Sequence, residues 1–308
     1  MPSSDLPAAV VVVDLDAIDV ATAPGLPGGR PAVVVGTTAA DDPEAHPLRT
    51  MCDLVLGAGD EALAQVVDTV GRNPLAATAL ALLLRGSEPR PLDDGLLAES
   101  ATYSLLQAGP EFAAWLAARP KPDPHEEAEP VLLDRTGGRL EITLNRPHVR
   151  NALNVAMRDA LLDALAVAAH DPSIDEVVLR GAGDGFCAGG DLGEFGSFPN
   201  PAVAHVVRLQ TSIGRAIALL RDRVTVHLHG ACLGSGIELP AFAGHVVAAP
   251  STTIGLPEVG LGLIPGAGGT WSITQRIGRW RTAQLALTGA RIPAATALEW
   301  GLVDEVGA

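Results

Sequence analysis

The chain has 308 residues, of which 47% are apolar and 19% charged, enough for one large domain or for a domain with a smaller partner. Aromatic residues make up only 3%, so we expect a core of Ala, Val and Leu side chains. The formal net charge of −15 repels a phosphate backbone, which argues against nucleic acid as a partner.

The cysteines and the N-terminal residues indicate a reducing compartment. Cys52, Cys187 and Cys232 lack CxxC spacing, which argues against a disulfide framework and against a metal site. The first apolar run is short and is interrupted by Asp14 and Asp16, so it predicts a strand rather than a signal peptide. No apolar run approaches the ~20 residues that span a membrane. We therefore expect a cytoplasmic protein with no membrane partner.

The first 120 residues divide into a strand-rich segment, residues 1–59, and a helical segment, residues 60–120. The first contains short Val-rich runs, and the second carries apolar residues at helical spacing. The predicted strands are residues 8–13, 32–36 and 53–57. The predicted helices are residues 60–70, 74–85, 92–107 and 111–118.

A Pro-rich linker, residues 121–130, leads into residues 131–308. There strands alternate with helices, which favours an α/β fold with right-handed βαβ units. The predicted strands are residues 131–134, 139–145, 176–181, 224–229 and 246–249, and the predicted helices are residues 154–170 and 203–221.

Two glycine-bearing segments each follow a predicted strand: GDGFCAGGDL at 183–192 and HGACLGSGIEL at 229–239. Taken singly, each is a turn whose small residues let a ligand approach the backbone, or simply a tight turn with close helix packing. Neither contains the GxGxxG or Walker A pattern of a nucleotide phosphate loop.

Together with three further segments, these motifs resemble the crotonase, or enoyl-CoA hydratase/isomerase, family. The further segments are NRPHVRNALN at 145–154, GLPEVGLGLIPGAGGT at 255–270 and AQLALTGARIPAATALEWGLVDEV at 283–306. The resemblance implies an α/β fold with a crotonase-like ββα spiral core. It also implies action on a coenzyme A thioester, with coenzyme A as part of the substrate and no separate cofactor.

By this resemblance, the backbone amides of Gly190 and Ser235 form an oxyanion hole. A thioester enolate carries its negative charge on one oxygen, and two preorganised N–H donors stabilise that charge as it forms. Most relatives have Gly at the second position. Ser is compatible because only the backbone N–H is needed, although its hydroxyl adds bulk and a further donor.

Glu238 and Glu258 match the family's acidic pair, and both have apolar neighbours in the sequence, where a glutamate without a role is costly. In family hydratases the pair holds a water and adds it across the α,β double bond, whereas relatives with one glutamate are often isomerases. We expect a hydratase-like lyase in which Glu238 activates water and Glu258 protonates Cα. Two alternatives stay open: a Δ3,Δ2-enoyl-CoA isomerase or other enolate chemistry, and a non-catalytic acyl-CoA-binding subunit.

The resemblance also implies coenzyme A contacts in two segments. Arg150, Ala152 and Leu153 are expected beside the adenine, and Asp191 and Leu192 beside the pantetheine. Many relatives carry a Lys shortly after the first oxyanion motif, but the corresponding stretch here, LGEF, has none. Arg150 is the substitute candidate for binding phosphate.

In crotonases, helices that form the trimer interface and roof the active site follow the point that WGLVDEV marks. Residues 60–120 resemble those helices, above all in NPLAATALALLLR at 73–85 and GLLAESATYSLLQAGPEFAAWLAARPKP at 95–122. We therefore expect the helical subdomain to have moved to the front of the chain, and a homotrimer or hexamer as the assembly. The alternative is an unrelated helical domain.

Overall fold

The computed structural model describes residues 9–19, 30–119, 129–197 and 200–307. Most of the predicted linker, residues 121–130, lies outside the described residues, as does the first residue of the first predicted strand. Within these ranges no helix combines the length and the apolar composition needed to cross a membrane.

The first described elements form a small parallel sheet. Its strands are β1 (Val10–Asp14), β2 (Val33–Thr38) and β3 (Leu54–Gly57), which confirms the predicted strands. They pair in the order β1-β2-β3, so β2 is central, and its Val33 and Val35 are fully buried. The Val-rich sequence suits this position because β-branched side chains pack well on a pleated surface.

Residues 60–119 are helical, and each helix ends within two residues of its predicted boundaries. Asp60 caps the first helix by accepting a hydrogen bond from Ala62 N at 2.8 Å. Pro74 begins the second, where its missing N–H has no intrahelical partner to lose. The helices are α1 (Glu61–Arg72), α2 (Pro74–Leu84), α3 (Leu92–Gln107) and α4 (Pro110–Ala118).

Residues 129–307 contain two sheets. The strands are β4 (Val131–Thr136), β5 (Arg139–Leu144), β6 (Glu176–Gly181), β7 (Val224–Leu228), β8 (Ala231–Leu233), β9 (His245–Ala248), β10 (Thr253–Gly255), β11 (Ile292–Pro293) and β12 (Glu305–Val306). The 6-stranded sheet has the order β12-β9-β7-β6-β5-β4 and is parallel except for the β4–β5 hairpin. A smaller sheet has the order β11-β10-β8. The predicted α/β fold is confirmed.

Helices and single 3-10 turns connect these strands. The helices are α5 (Val155–His170), α6 (Pro201–Gln210), α7 (Ile213–Leu219), α8 (Ser235–Glu238), α9 (Gly269–Thr288) and α10 (Ala294–Trp300). The 3-10 helices of the described chain are Leu15–Ala17, Pro43–Ala45, Pro47–Met51, Pro147–Val149, Leu192–Glu194, Arg221–Arg223, Pro240–Phe242 and Glu258–Leu261.

The prediction of one continuous helix over residues 203–221 is wrong. The chain forms α6 and α7 instead, with a break at Thr211 and Ser212. Ser212 lies in an extended conformation, and its hydroxyl accepts a hydrogen bond from Arg215 N at 3.2 Å, so it caps α7. The apolar periodicity continues across the break, which is why the pattern did not reveal it.

The helical segment packs directly on the C-terminal part of the chain. Helix α3 contacts α6 and α9, and α1 and α2 also contact α9. One cluster of buried side chains includes Leu80 and Leu84 of α2 together with Ile142 of β5 and Leu287 of α9. Residues 60–119 and 129–307 therefore share one hydrophobic core.

Asp53 fastens the small sheet to these helices. Its carboxylate, 3% exposed, accepts hydrogen bonds from Val34 N at 2.8 Å and from Arg85 Nε at 2.9 Å and Nη2 at 2.8 Å. Arg279 of α9 lies 4.0 Å from the same carboxylate. The ion pair thus joins β3, the end of α2 and α9.

We expect Arg85→Met to lower the free energy of unfolding by about 3–5 kcal/mol, because it leaves the buried carboxylate of Asp53 with only the Val34 amide and the more distant Arg279. Urea unfolding measures this loss. Arg72→Met is the matched control, since its partner Asp68 and Arg72 itself are both 64% exposed, and such surface pairs contribute under about 1 kcal/mol. Equal losses in the two variants would contradict the role of the buried pair.

Candidate active site

Two loops lie side by side after β6 and β8. The carbonyl oxygen of Cys187 accepts a hydrogen bond from Leu233 N at 3.1 Å, which joins the loops. On its other side the first loop pairs with residue 153: Leu153 N donates to Gly189 O at 2.8 Å, and Asp191 N donates to Leu153 O at 2.9 Å. In such a parallel bridge the amide of the middle residue, Gly190, faces away from the partner.

Gly190 and Ser235, the residues of the two predicted oxyanion-hole amides, both line a cavity of about 220 Å³. Neither donates a hydrogen bond to any acceptor among the described residues. Ser235 is the first residue of α8, where helix N–H groups have no intrahelical acceptor. The two predicted oxyanion-hole amides are therefore both available to a ligand.

Glycine is required at two positions that bring the loops together. Gly234 has φ 51° and ψ −121°, a conformation that residues with a Cβ rarely adopt. A Cβ on Gly234 would overlap Oε1 of Glu258, and a Cβ on Gly236 would overlap the carbonyl oxygen of Cys187. The small residues of GSG thus let a carboxylate and the neighbouring loop approach the backbone.

Glu238 and Glu258 line the same cavity as Gly190 and Ser235, so the structure brings the four predicted catalytic residues together. They come from separate parts of the chain: the loop after β6, helix α8, and the 3-10 helix after β10. A polarised thioester oxygen and two proton-transfer groups can therefore meet in one place.

Glu238 is 2% exposed and is held by backbone amides. Its Oε2 accepts hydrogen bonds from Ala267 N at 2.8 Å and Gly269 N at 2.9 Å, at the start of α9. Burial raises the pKa of Glu238 well above its usual value, and the carboxylates of Glu258 and Glu99 raise it further. The two amides oppose these effects because they stabilise the charged form.

Glu258 is 9% exposed, and its Oε2 has no hydrogen-bond partner among the described residues. Burial raises the pKa of Glu258 to about 8, and the charge of Glu99 contributes to the increase. A buried carboxyl oxygen without a protein partner, on a group that holds a proton at neutral pH, is suited to donate that proton to a ligand.

Glu99 is a third buried carboxylate, which the sequence analysis did not identify. It lies on α3, is 2% exposed, and accepts hydrogen bonds from Gly268 N at 2.6 Å and from Thr270 N at 2.8 Å. Burial raises the pKa of Glu99 to about 7. Glu99 and Glu238 thus bind alternate amides at the start of α9, so the N-terminal helical segment influences the charge of the site. The only sequence signal was a Glu within an apolar helical run.

The raised pKa values predict that the stability of the fold falls as the pH rises from about 5 to about 8. Above the pKa of the unfolded chain, near 4.3 for Glu, the folded protein holds more protons than the unfolded chain. Stability present at low pH is therefore lost as the pH approaches the folded-state pKa of about 8 for Glu258. Calorimetric Tm values across this range should fall less steeply for Glu258→Gln than for the unsubstituted protein.

Glu299→Gln is the control for this pH dependence, because Glu299 is exposed on α10. Its Tm profile should run parallel to that of the unsubstituted protein. A Glu258→Gln profile that is equally parallel would show that Glu258 titrates alike in the folded and unfolded states.

A model of the enoyl-CoA hydratase/isomerase family matches residues 134–308. The chain belongs to the enoyl-CoA hydratase/isomerase family. This confirms the resemblance found in the sequence motifs, and with it the crotonase-type α/β fold.

Relatives of the chain include proteins named as hydratases and as isomerases. The chain is 35% identical over 176 residues to the 2,3-dehydroadipyl-CoA hydratase of Escherichia coli K12. The aligned residues make up 57% of this chain and 68% of that protein. The chain is 36% identical over 174 residues to the 1,2-epoxyphenylacetyl-CoA isomerase of the same organism, covering 55% and 66%. The matched part thus spans about two thirds of each relative.

Solved structures agree with this assignment. The enoyl-CoA hydratase from Thermoplasma volcanium GSS1 has a TM-score of 0.55 and 34% identity, over 58% of this chain and 72% of that chain. The enoyl-CoA hydratase from Bacillus anthracis has a TM-score of 0.53 and 35% identity, over 58% and 70%.

The residues predicted to contact coenzyme A occupy two paired segments of this family member. Leu153 and Asp191 line the cavity. Ala152 is half-buried, whereas Arg150 is exposed and Leu192 is 47% exposed, and none of these three lines the cavity. Their contacts with coenzyme A stay a prediction.

Arg146, quoted in the first family motif without a role, joins these two segments. It is 3% exposed, and its Nη1 donates to the carbonyl oxygen of Ala152 and to Asp191 Oδ2, the latter at 2.9 Å. Arg146 therefore fixes the position of the loop that carries Gly190. Among the described residues, no group of three or more His, Cys, Asp or Glu side chains is placed to hold a metal ion.

Proposed function

We propose that the protein adds water to α,β-unsaturated acyl-CoA thioesters. The observation that supports this best is that Gly190, Ser235, Glu238 and Glu258 all line the same cavity. An oxyanion hole alone serves any enolate chemistry, whereas addition of water also requires a base for the water and an acid for Cα.

The thioester oxygen accepts hydrogen bonds from Gly190 N and Ser235 N. Glu238 removes a proton from water, whose oxygen forms a bond to Cβ while the double-bond electrons move onto the thioester oxygen. The enolate then takes the proton of Glu258 at Cα. No metal or further cofactor is needed, since every proton comes from water or a glutamate.

The geometry of the two glutamates supports this division of roles. Backbone donors on Oε2 of Glu238 favour its charged form and so oppose the burial that raises its pKa, and Oε1 remains for water. Glu258 has a raised pKa of about 8 and an oxygen without a protein partner, which suits a proton donor. The charge of Glu258 raises the pKa of Glu238, so a proton on Glu258 favours the charged form of Glu238.

The test is incubation of the protein with crotonyl-CoA. Hydration removes the conjugated enoyl absorbance and yields 3-hydroxybutyryl-CoA, which mass spectrometry identifies. A Δ3,Δ2-isomerase would instead leave crotonyl-CoA unchanged and convert 3-hexenoyl-CoA to the conjugated isomer. Binding of both thioesters without turnover of either would indicate a non-catalytic acyl-CoA-binding subunit and refute the proposed reaction.

The domain boundaries and the assembly are part of this proposal. We propose that residues 60–119 serve as the helical wall that family members place over the site, because Tyr103 and Gln107 of α3 line the cavity and Glu99 binds the start of α9. Moving residues 60–119 to a position after Val306 through a flexible linker should preserve crotonyl-CoA hydration if the order of the segments does not matter. A homotrimer or hexamer, which light scattering measures, and a cytoplasmic location complete the proposal.

A further inference from the structure

A second cavity of about 140 Å³ adjoins the first. Leu153, Arg158 and Arg208 line both of them. The rest of its lining includes the apolar side chains of Leu96, Leu209, Ile213 and Leu239 and the polar side chains of Glu99, Ser100, Thr211 and Ser212. A chain attached to a thioester in the first cavity can therefore continue past Arg208 into the second.

Arg208 is held in place by neutral oxygens of α3. Its Nε donates to Ser100 Oγ at 3.1 Å and its Nη1 to Gln107 Oε1 at 3.1 Å, while its Nη2 donates to Ser104 Oγ and Ser100 O. The guanidinium also lies over the Tyr103 ring, 4.6 Å from the ring centroid. These contacts fix the orientation of the guanidinium without neutralising its charge.

No carboxylate oxygen of the described residues lies within 4.0 Å of the half-buried Arg208 guanidinium, whereas the guanidiniums of Arg85 and Arg146 each pair with an aspartate. The carboxylate whose charge acts on Arg208 is that of Glu99, and its two oxygens accept hydrogen bonds from the amides of Gly268 and Thr270. One N–H of Nη1 is left without an acceptor in the described part of the chain.

We propose that the second cavity binds the distal end of an acyl chain that carries a terminal carboxylate, and that Arg208 recognises this carboxylate. The proposal rests on the proposed function, since it takes the thioester to lie at Gly190 and Ser235. A terminal carboxylate would give Arg208 a negatively charged hydrogen-bond acceptor. Hydrogen bonds between ionised groups are stronger than those that Arg208 makes to the neutral oxygens of α3. An unsubstituted alkyl end would leave the Arg208 guanidinium without an anionic partner.

The experiment compares the binding of two saturated, unreactive thioesters of equal chain length, hexanoyl-CoA and adipyl-CoA, by isothermal titration calorimetry. We expect adipyl-CoA to bind at least about tenfold more tightly. The Arg208→Leu variant should reduce the ratio of the two affinities to about one, and Arg208→Lys should keep part of it. Glutaryl-CoA and suberyl-CoA, each with its unsubstituted counterpart, extend the comparison to a shorter and a longer chain.

Arg215→Leu is the matched control, because this arginine of the neighbouring helix pairs with Asp93 at 2.8 Å and lines neither cavity. Its affinity ratio should equal that of the unsubstituted protein. Equal affinities in every length-matched pair, or a ratio that Arg208→Leu leaves unchanged, would overturn the proposal. If Arg208→Leu does not fold, the ratios of the unsubstituted protein and of Arg208→Lys decide.

The same measurements separate this inference from the proposed function. Binding does not depend on turnover, so a preference for the carboxylate in a protein that hydrates no enoyl-CoA refutes only the hydration reaction. Hydration of hexenoyl-CoA without any preference for the carboxylate refutes only the role of Arg208.

Discussion

Replacement of Glu258 by glutamine should lower kcat for crotonyl-CoA hydration by about 10²–10⁴-fold, the usual contribution of a positioned acid or base. Glutamine keeps the size of the side chain but has no proton to give to Cα. Glu238→Gln should cause a loss of similar size, because a neutral amide does not deprotonate water. Stopped-flow or steady-state loss of the enoyl absorbance measures both effects.

Two further measurements assign the individual roles. The double variant should be little worse than the poorer single variant, since residues that act as a unit are not additive. Exchange of the α-proton of butyryl-CoA with deuterated solvent requires only the group at Cα. Glu258→Gln should therefore abolish this exchange, whereas Glu238→Gln should retain it, and the reverse result would exchange the two roles.

The exposed Glu299 supplies the control for general effects of removing a carboxylate, and Glu299→Gln should hydrate crotonyl-CoA at the unsubstituted rate. Unchanged rates in Glu238→Gln and Glu258→Gln would refute the acid and base assignment. The oxyanion hole would then stand without the proposed proton transfers.

Substitution of Gly236 by alanine should damage the oxyanion hole through backbone contact alone. The new Cβ would overlap the carbonyl oxygen of Cys187, which accepts the hydrogen bond from Leu233 N that joins the two loops. Moving the loops apart displaces Gly190 N relative to Ser235 N, and loss of one such donor costs about 10²–10³ in kcat. Overpacking should also lower the free energy of unfolding by about 1–3 kcal/mol.

Gly260→Ala is the matched control, because a Cβ at this position meets no atom within 4 Å and the residue lies in the same 3-10 helix as Glu258. We expect its kcat and stability to stay close to those of the unsubstituted protein. If Gly236→Ala behaves in the same way, the close contact between the two loops does not set the oxyanion geometry.

The local sequence determined the elements and the principal residues of the site. Asp60, Pro74 and Asn154 mark helix starts by capping or by their missing N–H, so these starts are visible without tertiary information. The glycines around Gly190 and Ser235, with the two glutamates that follow, sufficed to predict which residues meet in the cavity. The break at Ser212 was not predicted. Ser212 caps α7, but the apolar residues continue at helical spacing on both sides of it, so the pattern resembles one continuous helix.

The tertiary structure alone decided which charges are buried and what faces them. Glu99 and Arg208 are ordinary polar residues in their own helices, and their importance arises where α3 meets α9 and α6. Burial removes the solvent that screens Glu99, so its charge raises the pKa of Glu238. Arg208 is half-buried, and no carboxylate of the described chain lies within ion-pair distance of it. The loss of solvent around a charged group depends on all the residues packed against that group. A pattern of residues along the chain does not show which residues these are. The sequence by itself therefore determined the family, the fold and the four residues that line the cavity, and the packing of the helical segment decided the electrostatics around them.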